Sequence, residues 1–305
     1  MNNYQNKWET RSSIRTSPRK IINFEEQGYF FPPEKQPLLL LKEIIDLGEE
    51  IKNKLLTHSF YKYLDGIVNL ECKTLISACE SIIHKKLIIN YDDYIKLNAH
   101  TVIIDEYYHV YIANDMILQM KTKIPELVNV VYPVSDAINA VDAIKGKLAI
   151  EYHDIFEIIA VCIFETTLVR ELVEFFNVPE VHPSIKYYVN DHMNDEAKHY
   201  GYFYDVLTFT WDNIPSIYRD EIGKYFGEFI KLYLSITSER SFNEVLLQSI
   251  INDNKKSTEL INQLYGNFTI VADIPIVKNV INVLQKVGIL ENTYVRNSLV
   301  KNGLL

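Results

Sequence analysis

The chain has 305 residues, which is enough for one large domain with a buried core or for two small ones. Hydrophobic residues make up 48% of the chain and charged residues 23%, a composition typical of globular proteins and not of disordered ones. The formal net charge of −9 argues against broad nucleic-acid binding, because phosphate-backbone binding needs clustered lysine and arginine.

The first predicted element is a polar, basic arm that covers residues 1–36 and precedes a single helical domain at 37–305. The arm ends near the turn-like Phe31-Pro32-Pro33. The behaviour of chain termini favours a segment that straps over the domain, and a basic docking patch for a partner is the alternative. The basic residues of the arm are Lys7, Arg11, Arg15, Arg19 and Lys20.

Apolar residues recur at helical spacing from residue 38 almost to the end of the chain. Strand-like alternation is weak, and its best example, residues 129–135, contains Pro133, which disfavours a strand. These patterns predict an all-α fold, a helical bundle. The predicted helices cover residues 38–56, 59–87, 92–122, 137–176, 184–211, 215–237, 241–264 with a break, 275–287 and 291–301.

Membrane and nucleotide-binding signatures are absent from the sequence. No apolar run approaches the roughly 18 to 20 residues that cross a bilayer, and no secretory signal begins the chain. Neither G-x-G nor G-x-x-x-x-G-K occurs, so an enzyme of this sequence would not carry its own nucleotide site of those kinds, and an oxygenase would need an external electron donor. Cys72, Cys79 and Cys162 are too few and too far apart for a disulfide scaffold or a zinc site. We therefore expect a cytoplasmic protein with no membrane or nucleic-acid partner.

Two short motifs place histidine and glutamate on one face of a helix. In the predicted helix 184–211, His192, Glu196 and His199 are spaced i, i+4, i+7 and fall within an arc of about 60°. Two imidazoles and a carboxylate on one stripe suit a first-row metal cation. A second copy of the core motif, Asp105–His109, again spaces glutamate and histidine i, i+3.

A pair of Glu-x-x-His helices becomes a di-iron site when two further helices each add a glutamate. Glu71 and Glu165 both lie in otherwise apolar stretches, where a carboxylate is costly unless it is paired or binds a metal. Each feature alone has a simpler explanation, such as a solvated helix face or an ion pair of Glu165 with Arg170. Their joint occurrence favours a metal site. The predicted ligands are Glu71, Glu106, His109, Glu165, His192, Glu196 and His199.

Asp105 and Asp195 each stand directly before a predicted ligand glutamate. Histidine ligands usually donate their other N–H to a carboxylate or carbonyl, so both aspartates are candidates to orient a histidine, including one on the neighbouring helix. A solvent-facing position is the alternative. Tyrosines crowd the same helices, and one or two of them are expected to line a substrate cavity.

The order and spacing of these residues resemble those of the di-iron N-oxygenases typified by p-aminobenzoate N-oxygenase. The third histidine, His192, distinguishes this pattern from ferritins and from the bacterial multicomponent oxygenases. The resemblance covers about residues 8–210, with one departure at Lys198, where the family often carries arginine. The family pattern Glu, E-x-x-H, Glu, H-x-x-x-E-x-x-H falls on Glu71, Glu106 with His109, Glu165, and His192 with Glu196 and His199.

The resemblance implies a ferritin-like bundle with a di-metal site in its core and extra C-terminal helices. It implies two iron ions, O₂ as co-substrate, an external reductase or ferredoxin-type donor, and a homodimer. The implied reaction oxidises an amine, small or carrier-bound, to a hydroxylamine, nitroso or nitro product in a biosynthetic pathway. Hydroxylation, desaturation or oxidative cleavage at carbon, and metal binding without catalysis, are the alternatives. Arg170 is a candidate anchor for a substrate carboxylate.

Overall fold

A computed structural model of the chain describes residues 3–129, 131–167 and 175–305. Over these ranges the chain is helical and contains no β-strand, and an isolated parallel bridge joins Tyr29 to Val181. No helix within the described ranges is long and apolar enough to span a bilayer. The predicted all-α fold is confirmed.

The α-helices differ widely in length, and a π-helical segment, Glu71–Leu75, joins two of them. Short 3₁₀ turns occur at Pro33–Lys35, Pro37–Leu40, Pro125–Asn129, Ile150–Tyr152 and Ile289–Glu291. The α-helices are α1 Asn3–Arg11, α2 Ser13–Thr16, α3 Lys42–Ile45, α4 Glu49–Leu70, α5 Ile76–His84, α6 Asp93–Lys123, α7 Asp136–Lys145, α8 His153–Thr167, α9 Pro183–Asn213, α10 Ser216–Gly223, α11 Phe226–Tyr233, α12 Thr237–Ile251, α13 Asn254–Tyr265, α14 Pro275–Lys286 and α15 Thr293–Lys301.

Four long helical elements form the bundle that carries the predicted ligands. One is continuous from α4 through the π-helical segment to α5, and the others are α6, α8 and α9. Helix α8 packs against α9 and α5, while α6 packs against α4 and α5. Every residue of α8 from Ile155 to Thr167 is buried, so this helix lies at the centre of the bundle. This is the architecture of ferritin-like di-iron proteins.

The helices that follow the bundle cover its outer faces. Helix α11 packs against α7 and α15, and α14 packs against α8. The rings of Phe156 on α8 and Phe229 on α11 meet edge to face at 5.3 Å between centroids. Helices α12 and α13 pack against each other and enclose a smaller core with Leu38, Leu41 and Leu55. The predicted extra C-terminal helices are therefore present.

The beginning of the chain lies across two bundle helices. Helices α1 and α2 both pack against α6 and α9. Just after them, the Arg19 guanidinium donates two hydrogen bonds, of 2.9 and 2.7 Å, to Asp115 on α6. The buried Lys20 donates to Asp191 on α9. This part of the predicted arm straps over the bundle, while the domain boundary at residue 36 stays a prediction.

Helix boundaries differ from the prediction where apolar spacing continues through a turn. The predicted helix 38–56 is divided into a 3₁₀ turn, α3 and the start of α4, and Gly48, whose φ of 87° is a left-handed conformation that favours glycine, separates α3 from α4. The predicted break between residues 56 and 59 is wrong, because α4 runs through it. The predicted helix 137–176 is two helices, since Gly146 ends α7 before α8 begins.

Farther along the chain the prediction is partly right. The predicted helix 215–237 is divided into α10 and α11, whereas the predicted break within 241–264 is confirmed at Asn252, whose φ is 54°. The strand considered at residues 129–135 is absent from the described residues there, which exclude residue 130. The part of the predicted helix at 168–174 lies outside the described residues.

Candidate metal centre

The bundle brings the seven predicted ligands together. One comes from the π-helical segment, two from α6, one from α8 and three from α9. Each is 7% exposed or less, although charged groups are rarely buried unless they are paired or bind a metal. They are Glu71, Glu106, His109, Glu165, His192, Glu196 and His199.

The π-helical segment positions the first glutamate. A π turn holds one residue more than an α turn, and such turns are frequent at functional sites. Here Glu71 begins the turn and is 4% exposed, while Cys72 and Lys73 face solvent. The Thr74 hydroxyl of this segment donates to the backbone carbonyl of Leu70, so a side chain supplies one of the hydrogen bonds of the wide turn.

The seven side chains form two clusters of donor atoms, each within 4.8 Å, that share Glu196. Glu196 Oε1 lies 2.9 Å from His192 Nε2, and its Oε2 lies 3.5 Å from His199 Nδ1. Glu106 also spans the clusters, with Oε2 3.2 Å from His109 Nδ1 and Oε1 3.0 Å from His199 Nδ1. The first donor group is Glu71, His109, His192 and Glu196, and the second donor group is Glu106, Glu165, Glu196 and His199.

The donor set fits two divalent cations. Glu71 Oε2, Glu106 Oε1, Glu165 Oε2 and His199 Nδ1 are buried without a hydrogen-bond partner among the described residues. Such atoms are costly unless a cation binds them. Four buried glutamates would also carry four negative charges, which two divalent ions balance. Carboxylate and imidazole donors suit iron in particular.

Asp105 and Asp195 are fully buried and each contacts a histidine of the other helix. His109 Nε2 lies 3.2 Å from Asp195 Oδ2, and His199 Nε2 lies 3.4 Å from Asp105 Oδ2. Because a carboxylate only accepts, each Nε2 carries a proton, and Nδ1, which faces the glutamate oxygens, is the nitrogen left to bind a metal once its own proton is displaced. The two aspartates therefore set the tautomer that a metal ligand needs.

The model of the family described as p-aminobenzoate N-oxygenase AurF matches residues 6–249. The chain belongs to the AurF family. No curated protein is similar enough to count as a significant match. The family is one of di-iron oxygenases with a ferritin-like fold, in agreement with the helical bundle and the two donor groups. The match extends past residue 210, where the sequence resemblance ended, and takes in α10, α11 and most of α12.

The AurF-family centre of this chain keeps Asp195 charged. Burial alone would raise the pKa of Asp195, but hydrogen bonds from His109, Lys198 and Ser13 outweigh it and hold the pKa well below its usual range. Lys198, at the position where the family often carries arginine, donates one hydrogen bond to Asp195 Oδ1. A lysine makes this contact as a point charge, without the planar fork of arginine.

The pKa values of Glu71 and Glu165 show the repulsion that a cation would relieve. Burial, together with the negative charge of Glu106, raises the pKa of Glu71 to about 7, against hydrogen bonding from His192. Burial and the charges of Glu196 and Glu106 likewise raise the pKa of Glu165. Without a metal these two carboxyls keep protons to higher pH than an ordinary glutamate does, and metal binding has to displace them.

The residues of the centre differ little in exposure. Glu106 and His199 are 0% exposed, whereas Glu165, His192 and Glu196 are each 7% exposed. Helices α1 and α2 cover part of the centre, where Ser12 donates to Asp105 and Ser13 donates to Asp195.

Two tyrosines lie near the donor groups, and the ring of one, Tyr188, is 6.1 Å from the ring of His192. Burial raises the pKa of both Tyr63 and Tyr188, and the charges of Glu71 and Glu196 raise each further. Tyr63 also lines a cavity of about 210 Å³ that opens to the surface. Other residues around this cavity are Phe31, Gln36, Lys62, Phe175, Phe242 and Asn243.

The sequence analysis did not identify Ser12, Ser13 or Tyr63 as site residues. Tyr63 has a weak sequence signal, because it lies eight residues, about two helical turns, before Glu71. The serines had none, since their contacts join residues 93 and 182 positions apart. Arg170, considered as a substrate anchor, lies outside the described residues.

Proposed function

We propose that this protein is an O₂-dependent di-iron N-oxygenase that converts a substrate amine to a hydroxylamine, nitroso or nitro product in a biosynthetic pathway. The observation that carries the proposal is the pair of buried donor groups, which includes a third histidine, in a chain of the AurF family. Iron handling without catalysis would not need the additional imidazole of His192.

Each donor group would hold one iron ion. Glu71 would bind the ion of the first group and Glu165 that of the second, while Glu196 belongs to both groups and Glu106 also lies 3.2 Å from His109 of the first. When bound, two iron ions would supply the activation of O₂ and the transfer of an oxygen atom to nitrogen.

The protein around the donor groups excludes water and controls protons. Asp105 and Asp195 accept the Nε2 protons of His199 and His109, so each imidazole keeps Nδ1 towards the centre as the nitrogen that would bind the metal. Tyr63 and Tyr188 keep their phenol protons, because burial raises the pKa of both. The two tyrosines would therefore present neutral aromatic groups to a substrate that reaches the centre.

The aromatic cavity beside Tyr63 is the proposed entrance for the amine. Phe31, Phe175 and Phe242 give it an apolar wall suited to an aryl or long-chain substrate, free or carried by a partner protein. The Lys62 ammonium at its rim lies 5.3 Å from the Phe242 ring, where it could meet a carboxylate or phosphate of the substrate. Electrons come from an external reductase or a ferredoxin-type donor in this proposal.

The first experiment combines metal analysis with product analysis. After anaerobic Fe²⁺ loading, we expect about two irons per chain, and a visible absorption change on exposure to O₂ that decays faster with an added amine. Mass spectrometry with ¹⁸O₂ then distinguishes new N–O bonds from new C–O bonds. Only C–O products would indicate a carbon oxygenase, and two irons with no O₂-dependent turnover of amines would indicate metal binding without catalysis.

Two glutamates on α8 provide matched variants. Glu165→Gln removes a carboxylate of the second donor group and should lower the iron content towards one per chain, with loss of turnover. Glu157→Gln changes another buried glutamate of the same helix, which pairs with Lys145 at 2.5 Å and lies outside both donor groups. It should retain two irons. Equal iron content in both variants would contradict the assignment of Glu165.

A further inference from the structure

Two consecutive serines of the arm form parallel contacts with the outer side of the candidate metal centre. Ser12 Oγ donates to Asp105, whose other oxygen lies 3.4 Å from His199 Nε2. Ser13 donates to Asp195 through both Oγ and its backbone N–H, the latter at 3.1 Å. Asp195 in turn contacts His109. Each donor group is thus connected to the arm through one aspartate and one histidine.

The two contacts differ in how much other support the aspartate has. Asp195 also accepts from Lys198. Asp105, by contrast, receives its hydrogen bonds within the described residues from Ser12 and His199. Both aspartates are 0% exposed, so a lost donor cannot be replaced by bulk water. Loss of the Ser12 hydroxyl should therefore disturb Asp105 more than loss of the Ser13 hydroxyl disturbs Asp195.

The arm is held in place at both ends of this serine pair. On α1, the Tyr4 hydroxyl accepts from Thr101 of α6 at 3.2 Å, and the Tyr4 ring lies 5.7 Å from the ring of Tyr202 on α9. After α2, Arg19 and Lys20 pair with α6 and α9 as described above. The serines are thus fixed relative to the two helices that carry five of the seven predicted ligands.

We propose that Ser12 and Ser13 are positioning residues of the metal centre, and that docking of the arm and binding of the metal stabilise each other. The serines orient Asp105 and Asp195, which hold His199 and His109 with Nδ1 towards the donor groups. Coupling of this kind is reciprocal: if the arm tightens iron binding, iron binding tightens the arm by the same factor. The inference rests on the proposed di-iron site.

The first test measures iron affinity in serine variants of the full chain. Anaerobic Fe²⁺ titration of Ser12→Ala should show about tenfold weaker binding, at the lower end of the range for partners of metal-ligating groups. Ser13→Ala should lose less, because the backbone N–H and Lys198 still bond Asp195. Mössbauer spectra of ⁵⁷Fe-loaded Ser12→Ala should change for one iron, that of the second donor group. Ser257→Ala, which removes another fully buried serine hydroxyl, should match wild type.

The second test measures the reciprocal effect on the arm. Trypsin cuts after arginine, and Arg11 and Arg15 are both exposed beside the serines. Cleavage there should be at least about threefold slower in the iron-loaded protein than in the metal-free protein, by the same linkage. The Ser12→Ala/Ser13→Ala double variant should lose most of this difference.

The outcomes separate this inference from the proposed function. A wild-type protein that binds no iron would overturn both. A wild-type protein with two irons, together with serine variants that bind Fe²⁺ equally tightly and protect the arm equally, would overturn the positioning role alone. Weaker iron binding with a matching loss of arm protection supports it.

Discussion

Glu165 shows how a group that binds metal can destabilise the metal-free fold. Burial and two neighbouring carboxylates raise its pKa well above the unfolded value of 4.5. The folded protein therefore binds more protons than the unfolded chain above about pH 4.5. Its contribution to stability falls as pH rises from that value through the folded pKa, which is the opposite of an ordinary ion-paired glutamate.

Glu165→Gln should consequently stabilise the metal-free protein while weakening the metal site. The gain in the free energy of unfolding at pH 7 should be on the order of 1 kcal/mol, the usual scale for a single substitution. Urea unfolding of the metal-free proteins measures it. Glu157→Gln, which breaks a buried ion pair, should be destabilised instead. A less stable Glu165→Gln protein would show that the carboxyl is well paired without metal.

His58 gives the fold a second pH dependence, away from the metal centre. Burial, with a smaller effect of Lys54, lowers the pKa of His58, whose Nδ1 lies 3.2 Å from the Tyr132 hydroxyl. The unfolded chain takes up this proton near pH 6.5, whereas the folded protein does so only at lower pH. Stability should therefore be lost as pH falls from about 6.5 towards the folded pKa.

The comparison for His58 is the urea midpoint at pH 7.5 and pH 5.5. From pH 7.5 to pH 5.5 the midpoint of wild type should drop relative to that of His58→Gln, because the variant has no proton to exclude and the contribution of Glu165 is common to both. His84→Gln changes an exposed histidine and should behave like wild type. An identical change in all three proteins would rule out His58 as the source.

At the scale of elements, the π-helical segment Glu71–Leu75 sets the backbone position of Glu71 between α4 and α5. Removing one residue would close the wide turn to a regular α turn and shift the Glu71 backbone relative to its donor group, while the helices on either side keep their orientation. Deletion of Lys73 should therefore lower the melting temperature and abolish iron binding at the first donor group. The matched control is Lys73→Ala, which keeps the residue count at an exposed position. A deletion variant that binds two irons normally would show that the turn is dispensable.

The sequence predicted the bundle helices better than their ends. On α6 and α9, spacing of three, four and seven residues identifies the ligand face, because a regular helix makes sequence distance a measure of angle. Helix α8 is buried on all sides, so its apolar pattern has no period to mark where it starts. The end of a helix depends on single residues such as Gly48 and Asn252, whose backbone conformation apolar spacing does not reveal.

The same distinction explains which parts of the candidate site could be predicted. The seven ligands could be predicted because each has a recognisable place on a helix, and the bundle then brings them together. Ser12 and Ser13 reach Asp105 and Asp195 through the path of the arm over the bundle, which local pattern does not encode. The π-helical turn at Glu71 could not be predicted either, because a turn with one extra residue has the same apolar composition as a regular helical turn.

For the whole molecule, the outward face of α6 is the most conspicuous unpartnered surface of the described chain. Leu97, Ile104, Tyr111 and Leu118 are spaced seven residues apart and are 41% to 62% exposed. Tyr107, 53% exposed, lies on the same face. A seven-residue apolar repeat on a solvent face is the pattern by which two helices pack together. We expect this face to join two copies of the chain.

An antiparallel arrangement of two α6 helices makes this face complementary to itself. When Tyr107 of one copy lies opposite Tyr108 of the other, Leu97 of each copy lies opposite Leu118 of its partner, and Ile104 lies opposite Tyr111. The acidic start of each helix then meets the basic end of its partner, a favourable pairing of charges and helix dipoles. The charged residues concerned are Asp92, Asp93, Lys121 and Lys123.

Sedimentation velocity at micromolar concentration tests this arrangement. Wild type should sediment as a dimer and Tyr111→Glu as a monomer, because the twofold axis would bring the two introduced charges into one apolar interface. Iron content should be unchanged, since Tyr111 contacts neither donor group. Ile217→Glu, at a residue 51% exposed on α10, should remain dimeric. A dimeric Tyr111→Glu protein would place the interface elsewhere, and a monomeric wild type would exclude the homodimer that the family resemblance implies.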